Sequence, residues 1–245
     1  MMSSRFLPVS FFTAVLFFLS SCNGSEEKSG TDTSKDSTTT AITEPATPST
    51  IVTTPQGILL VKHKVSNFTK WKASYDAHDS MRLAGGMHNY VIGRSIDDSN
   101  MVIVAVKADD MAKAKAFSTD AKLKEAMQKG GVTGKPSFAF LTATFQDTVV
   151  INSAIRSLTT FTVKDWDAWQ KGFKEGSQER IDNGITDRVY GHDADDDHKI
   201  MLVTALMDTA KAFAYWKSDM LKKRRAVSGV IGVPDRFVFR IVQRY

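Results

Sequence analysis

Gly131-Val132-Thr133-Gly134-Lys135-Pro136 returns 98 positions later as Gly229-Val230-Ile231-Gly232-Val233-Pro234. The same offset, without a gap, sets Trp71 on Trp169, Arg82 on Arg180, Gly86 on Gly184 and Gly93 on Gly191. Asp97-Asp98 falls on Asp195-Asp196, and Leu123-Lys124 on Leu221-Lys222. Matches of Trp, Gly and Pro at one fixed spacing read as a tandem duplication of a single folding unit.

Each half spells the same elements. Leu59, Val61, His63 and Val65 alternate as a strand does. Asn67 is placed to cap a helix on which Phe68, Trp71, Tyr75, His78 and Arg82 recur at three- and four-residue steps. Gly85-Gly86 ends that helix. Tyr90-Val91-Ile92 opens a strand, and Asp97-Asp98-Ser99-Asn100 supplies a turn. Met101 to Val106 is unbroken apolar sequence, as in a strand buried on both faces. A second helix spans Asp110 to about Lys129 with a break at Ser118-Thr119-Asp120, and Phe138 to Leu141 forms the last strand. The order is βαββαβ, repeated from Leu158 to Val242.

Such a unit is a ferredoxin-like split βαβ, with helices on one sheet face and an apolar face left bare. The second copy covers that face in cis. The expected fold class is therefore α+β: two ferredoxin-like units packed sheet to sheet in residues 57–150 and 151–245. On the helix pattern running into Gly-Val-x-Gly-x-Pro, the chain resembles the dimeric α+β barrel superfamily in an uncharacterised branch. The resemblance implies a monomer that forms an intramolecular pseudo-dimer, with ligands held between helices and sheet. Better-known members include cofactor-free monooxygenases, haem-degrading monooxygenases and small lactone isomerases.

That implication directs attention to the first-helix stripe. Phe68, Trp71, Tyr75, His78 and Arg82 fall within about 80° of arc on an ideal helix. Their counterparts are Trp166, Trp169, Phe173, Gly176 and Arg180. Aromatics at this spacing serve a core as readily as a ligand. The ligand-binding candidates are Trp71, Tyr75, His78, Arg82, Trp169, Phe173 and Arg180. His78 is the catalytic candidate, as a general base beside Trp71 and Tyr75. None of the five histidines is duplicated: His63 aligns with Phe161, His78 with Gly176, His88 with Thr186, His192 with Arg94 and His198 with Asn100. Arg82 and Arg180 offer either a carboxylate grip or a helix C-terminal charge. With His78 and Trp71 on one helix and no Asn beside them, a haem site is disfavoured. The run from His192 to His198 reads as a hairpin turn rather than a metal site, so no metal and no cofactor is expected.

The remaining sequence speaks to location. Arg5, the apolar run Phe6 to Leu19 and Leu19-Ser20-Ser21-Cys22 spell a lipoprotein signal (residues 1–22) ending in a lipidated Cys22. Residues 23–56, rich in Ser, Thr and Pro, read as a disordered tether. The whole chain carries +5, a mild charge that gives no ground for a nucleic-acid partner. A single cysteine excludes a disulfide framework. No Gly-x-Ser-x-Gly or phosphate loop is present.

The leading expectation is thus a lipid-anchored envelope lipoprotein, in the outer membrane, that binds a small apolar or aromatic ligand between helix and sheet. The balance tilts against catalysis. The alternatives are a cofactor-independent monooxygenase or isomerase, and a protein-interaction scaffold.

Overall fold

The computed structural model describes residues 49–245. The first half comprises β1 (Ile51–Val52), β2 (Gln56–Val65), α1 (Phe68–Ala77), α2 (Asp79–Ala84), β3 (Met87–Ser95), β4 (Met101–Ala108), α3 (Met111–Ser118), α4 (Ala121–Lys129) and β5 (Val132–Asp147). The second comprises β6 (Ile155–Val163), α5 (Trp166–Glu175), α6 (Ser177–Asp182), β7 (Ile185–Asp193), β8 (Lys199–Leu206), α7 (Thr209–Trp216), α8 (Asp219–Val227) and β9 (Val230–Arg244). Setting β1 aside, the α+β order βαββαβ occurs twice, as the alternation and the capping residues require.

Side-chain caps start the helices where the sequence places them. Asn67 Oδ1 accepts from the Lys70 amide at 2.9 Å, and Asp165 Oδ1 from that of Ala168 at 2.7 Å. Such a cap stabilises a helix by about 1 kcal/mol. The break at Ser118-Thr119-Asp120 is present, with Asp120 capping α4.

Strand β2 is buried on both faces. Leu59, Val61 and Val65 of β2 join Trp71 and Val104 under the helices. Ile58 and Leu60 of the same strand point the other way, to meet Leu158, Val189 and Phe239 of the second half. The two sheets also hydrogen-bond edge to edge. β3 pairs with β9 and β5 with β7, so the ladder closes into a barrel. Gly93 and Gly191 stand in these two seams. A Cβ on Gly191 would lie 1.9 Å from the Thr142 carbonyl oxygen, and one on Gly93 would lie 2.2 Å from the Phe239 ring. Close approach, rather than turn geometry, explains that matched pair.

The repeated Gly-Val-x-Gly-x-Pro is a strand irregularity rather than a connecting loop. Lys62 pairs with Ser137 and Lys64 with Thr133, so His63 alone faces residues 134–136 of β5. In the other half Thr160 pairs with Asp235 and Thr162 with Ile231, leaving Phe161 opposite 232–234. Gly134 and Gly232 take φ of 72° and 70°, open to glycine at little cost. Each bulge bends its strand, and bulges of this kind commonly lie beside functional sites.

Two expectations shift. The stripe Phe68–Arg82 is not one straight helix, because the chain turns at His78 between α1 and α2. There the His78 amide tightens onto the Tyr75 carbonyl, while its ring bonds the carbonyl of Ser74. Strand structure also reaches into the stretch read as tether: Ile51 and Val52 pair with Asp147 and Gln146, since β5 outruns β2 and offers them an open edge. The signal segment, Cys22 and the tether up to residue 48 lie outside the described residues. No described helix is long and apolar enough to cross a membrane.

Candidate functional site

A partly open cleft of about 70 Å³ lies between the first-half helices and the sheet. Trp71, Tyr75, His78 and Arg82 all border it, together with His63, Phe117 and Phe138. Trp71 is the buried floor, flanked by the Phe68 ring at 5.6 Å and the Tyr75 ring at 5.2 Å.

Arg82 does not present a free guanidinium. Its Nε donates to Asn89 Oδ1 at 2.9 Å, Nη1 to the Tyr75 carbonyl at 2.8 Å and Nη2 to Asp79 Oδ1 at 3.2 Å. Its plane stacks on the Tyr75 ring at 3.7 Å. Tyr75 Oη donates to the same Asn89 Oδ1 at 2.6 Å, and burial pushes that phenol's pKa well up. Arg180 makes the matching clamp. Its Nε and Nη2 hold Asp187 at 2.8 and 2.5 Å, Nη1 holds the Phe173 carbonyl at 2.8 Å, and the plane stacks on Phe173 at 3.6 Å. Asn89 and Asp187 are equivalent positions, so both arginines fasten the short second helix to the strand that follows it.

His78 is half-buried at the helix break. A carbonyl can only accept, so His78 Nδ1 donates to Ser74 O at 2.6 Å, and in a neutral ring Nε2 is then the acceptor.

The residue that sequence reasoning passed over is His63. It sits on β2 at the bulge, 4% exposed, with its ring 5.3 Å from that of Trp71. Neither ring nitrogen has a hydrogen-bond partner among the described residues. Burial lowers its pKa to about 4, so the ring is neutral at pH 7. An unmatched polar ring in an apolar setting is costly, and such a group is commonly explained by a ligand or a catalytic role. The pointer available beforehand was the doubled glycine motif, whose bulge sets this one residue apart.

In the second half a cleft of about 80 Å³ occupies the equivalent place beside Trp169 and Phe173. There Phe161 replaces His63 and Gly176 replaces His78. The two imidazoles therefore belong to one half only. The other histidines lie elsewhere: His88 is exposed against Asp109 at 2.9 Å, and His192 Nδ1 donates to the Asp193 carbonyl at 2.8 Å. Asp196, Asp197 and His198 bring ligand-type atoms within 4.8 Å of one another on the exposed β7–β8 turn. Asp196 there accepts the His198 amide at 3.1 Å and pairs with Lys199 at 3.0 Å, which is turn chemistry.

No protein-family model and no curated protein matches the chain in sequence. Solved structures do match in fold. An anthrone oxidase-like protein aligns with TM-score 0.54 and 10% identity, covering 80% of this chain and 95% of its own. Two proteins named as putative members of their class follow. A monooxygenase from Lactobacillus acidophilus NCFM aligns with TM-score 0.51 and 12% identity, covering 77% and 94%. A chlorite dismutase aligns with TM-score 0.50 and 12% identity, covering 78% and 96%. The fold is thus that of the dimeric α+β barrels. The fold is shared with proteins named for oxidase, monooxygenase and dismutase activities, which corrects the leading expectation of an envelope lipoprotein that only binds a ligand and leaves the tilt against catalysis without support. The anchor at Cys22 and the outer-membrane location rest on residues outside those described.

Proposed function

We propose that the first half is a cofactor-independent oxygenase that acts on an aromatic or otherwise conjugated substrate with a C–H made acidic by conjugation to a carbonyl. The observation that carries this reading is His63: a buried, neutral imidazole with both nitrogens unpaired, at the bulge beside Trp71, and replaced by Phe161 in the other half. The names of the anthrone oxidase-like and monooxygenase neighbours support the oxidative direction.

The chemistry needs three things of the protein. The apolar walls formed by Leu59, Val61, Val104 and Val106 desolvate the substrate, and Trp71 and Phe138 give a ring something to stack on. His63, neutral at pH 7, takes the proton from carbon. The imidazolium then faces the carbanion, and a low-dielectric pocket strengthens that ion pair. The resonance-stabilised carbanion supplies electrons to O₂. For a methylene substrate the balance is RCH₂R′ + O₂ → RC(=O)R′ + H₂O: one oxygen atom enters the new carbonyl and the other leaves as water. The substrate is the only reductant, so no flavin or metal enters the sum. His78 Nε2, as an acceptor at the half-buried side, holds a substrate hydroxyl or a water.

The cleft as it stands admits neither a haem nor a polycyclic substrate. Phe68, Trp71, Tyr75 and Phe138 fill the space, and about 70 Å³ is under half the ~150 Å³ of an engineered cavity that takes benzene. Even a single ring requires α3 and α4 to ease away from the sheet, a lid-like motion.

Oxygen uptake with anthrone and a panel of cyclic 1,3-diketones tests the reading. Uptake by the wild type and its loss in His63→Phe, whose melting temperature is not lowered, is expected. Equal uptake by His63→Phe, or none by the wild type across the panel, overturns it.

A further inference from the structure

A second cavity, distinct from the helix-side cleft, lies inside the barrel between the two sheets. Its volume is about 250 Å³, larger than the ~150 Å³ that admits benzene in an engineered protein. Ile58, Leu60, Ile103, Leu158, Val203 and Phe239 make its walls apolar. Polar groups gather where the chain crosses from β5 to β6: Asp147, Arg156, Arg188 and Arg244 all border the space.

These charges do not cancel. Arg188 is committed, with Nη1 donating to Asp147 Oδ2 at 2.8 Å and Nη2 to the Val149 carbonyl at 2.6 Å. That pair is neutral as a unit and ties down the linker over the cavity mouth. Arg156 is only 2% exposed and faces no carboxylate among the described residues. Its Nη1 donates to the carbonyls of Ser153 at 2.8 Å and Ile155 at 2.9 Å, but Nη2 is buried without a partner among the described residues. Burial first, then the neighbouring Arg244 and Arg188 charges, lower its pKa to about 10, so it is still charged at neutral pH. A buried cation without a counter-ion destabilises a fold unless something completes it.

From this geometry we infer that the barrel interior binds an apolar monocarboxylate, its carboxylate on Arg156 Nη2 with Arg244 at the solvent side and its hydrocarbon body between the sheets. A guanidinium at one end of an apolar cavity matches that amphiphilic shape, because the head gains a charge-assisted bond and the tail leaves water. Neutral alcohols gain only the second of these, and inorganic anions only the first.

Calorimetric titration of the full chain with octanoate, 1-octanol and phosphate separates the contributions. Octanoate is expected to bind at least tenfold more tightly than either control, and Arg156→Met to remove that margin while raising the melting temperature of the ligand-free protein. Ala105→Phe, which fills the interior without touching the arginine, is expected to abolish octanoate binding. His63→Phe is expected to leave it unchanged, which keeps this site separate from the helix-side one. Octanoate and octanol binding alike, retention of octanoate by both Arg156→Met and Ala105→Phe, or no octanoate binding at millimolar concentration overturns the inference.

Discussion

His63 and Trp71 lie with ring centroids 5.3 Å apart and planes tilted by 53°, and Phe161 and Trp169 repeat the pose at 5.5 Å and 59°. The second half thus shows how this position packs when it is purely apolar. In the first half the same space holds a ring with two unsatisfied nitrogens, and the folded protein bears the cost of keeping it there.

That cost depends on pH. The unfolded chain protonates His63 near pH 6.5, whereas the folded protein holds its pKa near 4. Between those values the unfolded state binds more protons, so stability is intact above about pH 6.5 and falls as pH drops towards 4. The loss from this residue amounts to about 3 kcal/mol. Urea unfolding at pH 7 and pH 4 is expected to show that contribution in the wild type and to lack it in His63→Phe.

Barrel closure depends on a glycine. With the Thr142 carbonyl oxygen 1.9 Å from where its Cβ would stand, Gly191→Ala forces β7 away from β5. A loss of about 3 kcal/mol is expected, from overpacking against backbone that cannot rotate aside. Gly134→Ala meets no neighbouring atom and should cost only about 1 kcal/mol, the strain of its positive φ. Denaturation midpoints of the two variants check the order.

The two arginine clamps are not equal. Arg180 grips Asp187 through two bonds, and that carboxylate is 17% exposed; Arg82 meets Asp79, which is 45% exposed, through one. Arg180→Met strands a mostly buried carboxylate and is expected to cost about 3–5 kcal/mol. Arg82→Met should cost about 1–2 kcal/mol, since water can take over Asp79. Equal losses in urea unfolding contradict this assignment.

How legible this was depended on what each residue needed. Trp71 with Trp169, Arg82 with Arg180 and Gly93 with Gly191 could be paired by offset alone, and the alternation in Leu59 to Val65 gave the strand. The fold followed from these. Closure of the barrel did not, because it rests on ladders between residues as distant as Val91 and Arg244. The turn at His78 was hidden in the first copy, where no glycine marks it, although Gly176 stands at the same place in the second. In the sequence the Gly131–Pro136 motif marks only the relatedness of the two halves. Its physical content is a bulge that isolates His63, and only strand register reveals which residue lies opposite. His63 looked like one apolar-face strand residue among several until its two nitrogens were seen to lack partners. Arg156 was silent for a similar reason: its missing counter-ion is a property of the closed interior.

Anaerobic hydrogen–deuterium exchange isolates proton removal from carbon by His63 from any reaction with O₂. Anthrone in D₂O, followed by ¹H NMR, is expected to lose its methylene signal at least a hundredfold faster with the wild type than with His63→Phe, whose rate should match buffer. Exchange at the same rate with both proteins would leave His63 no part in removing the proton.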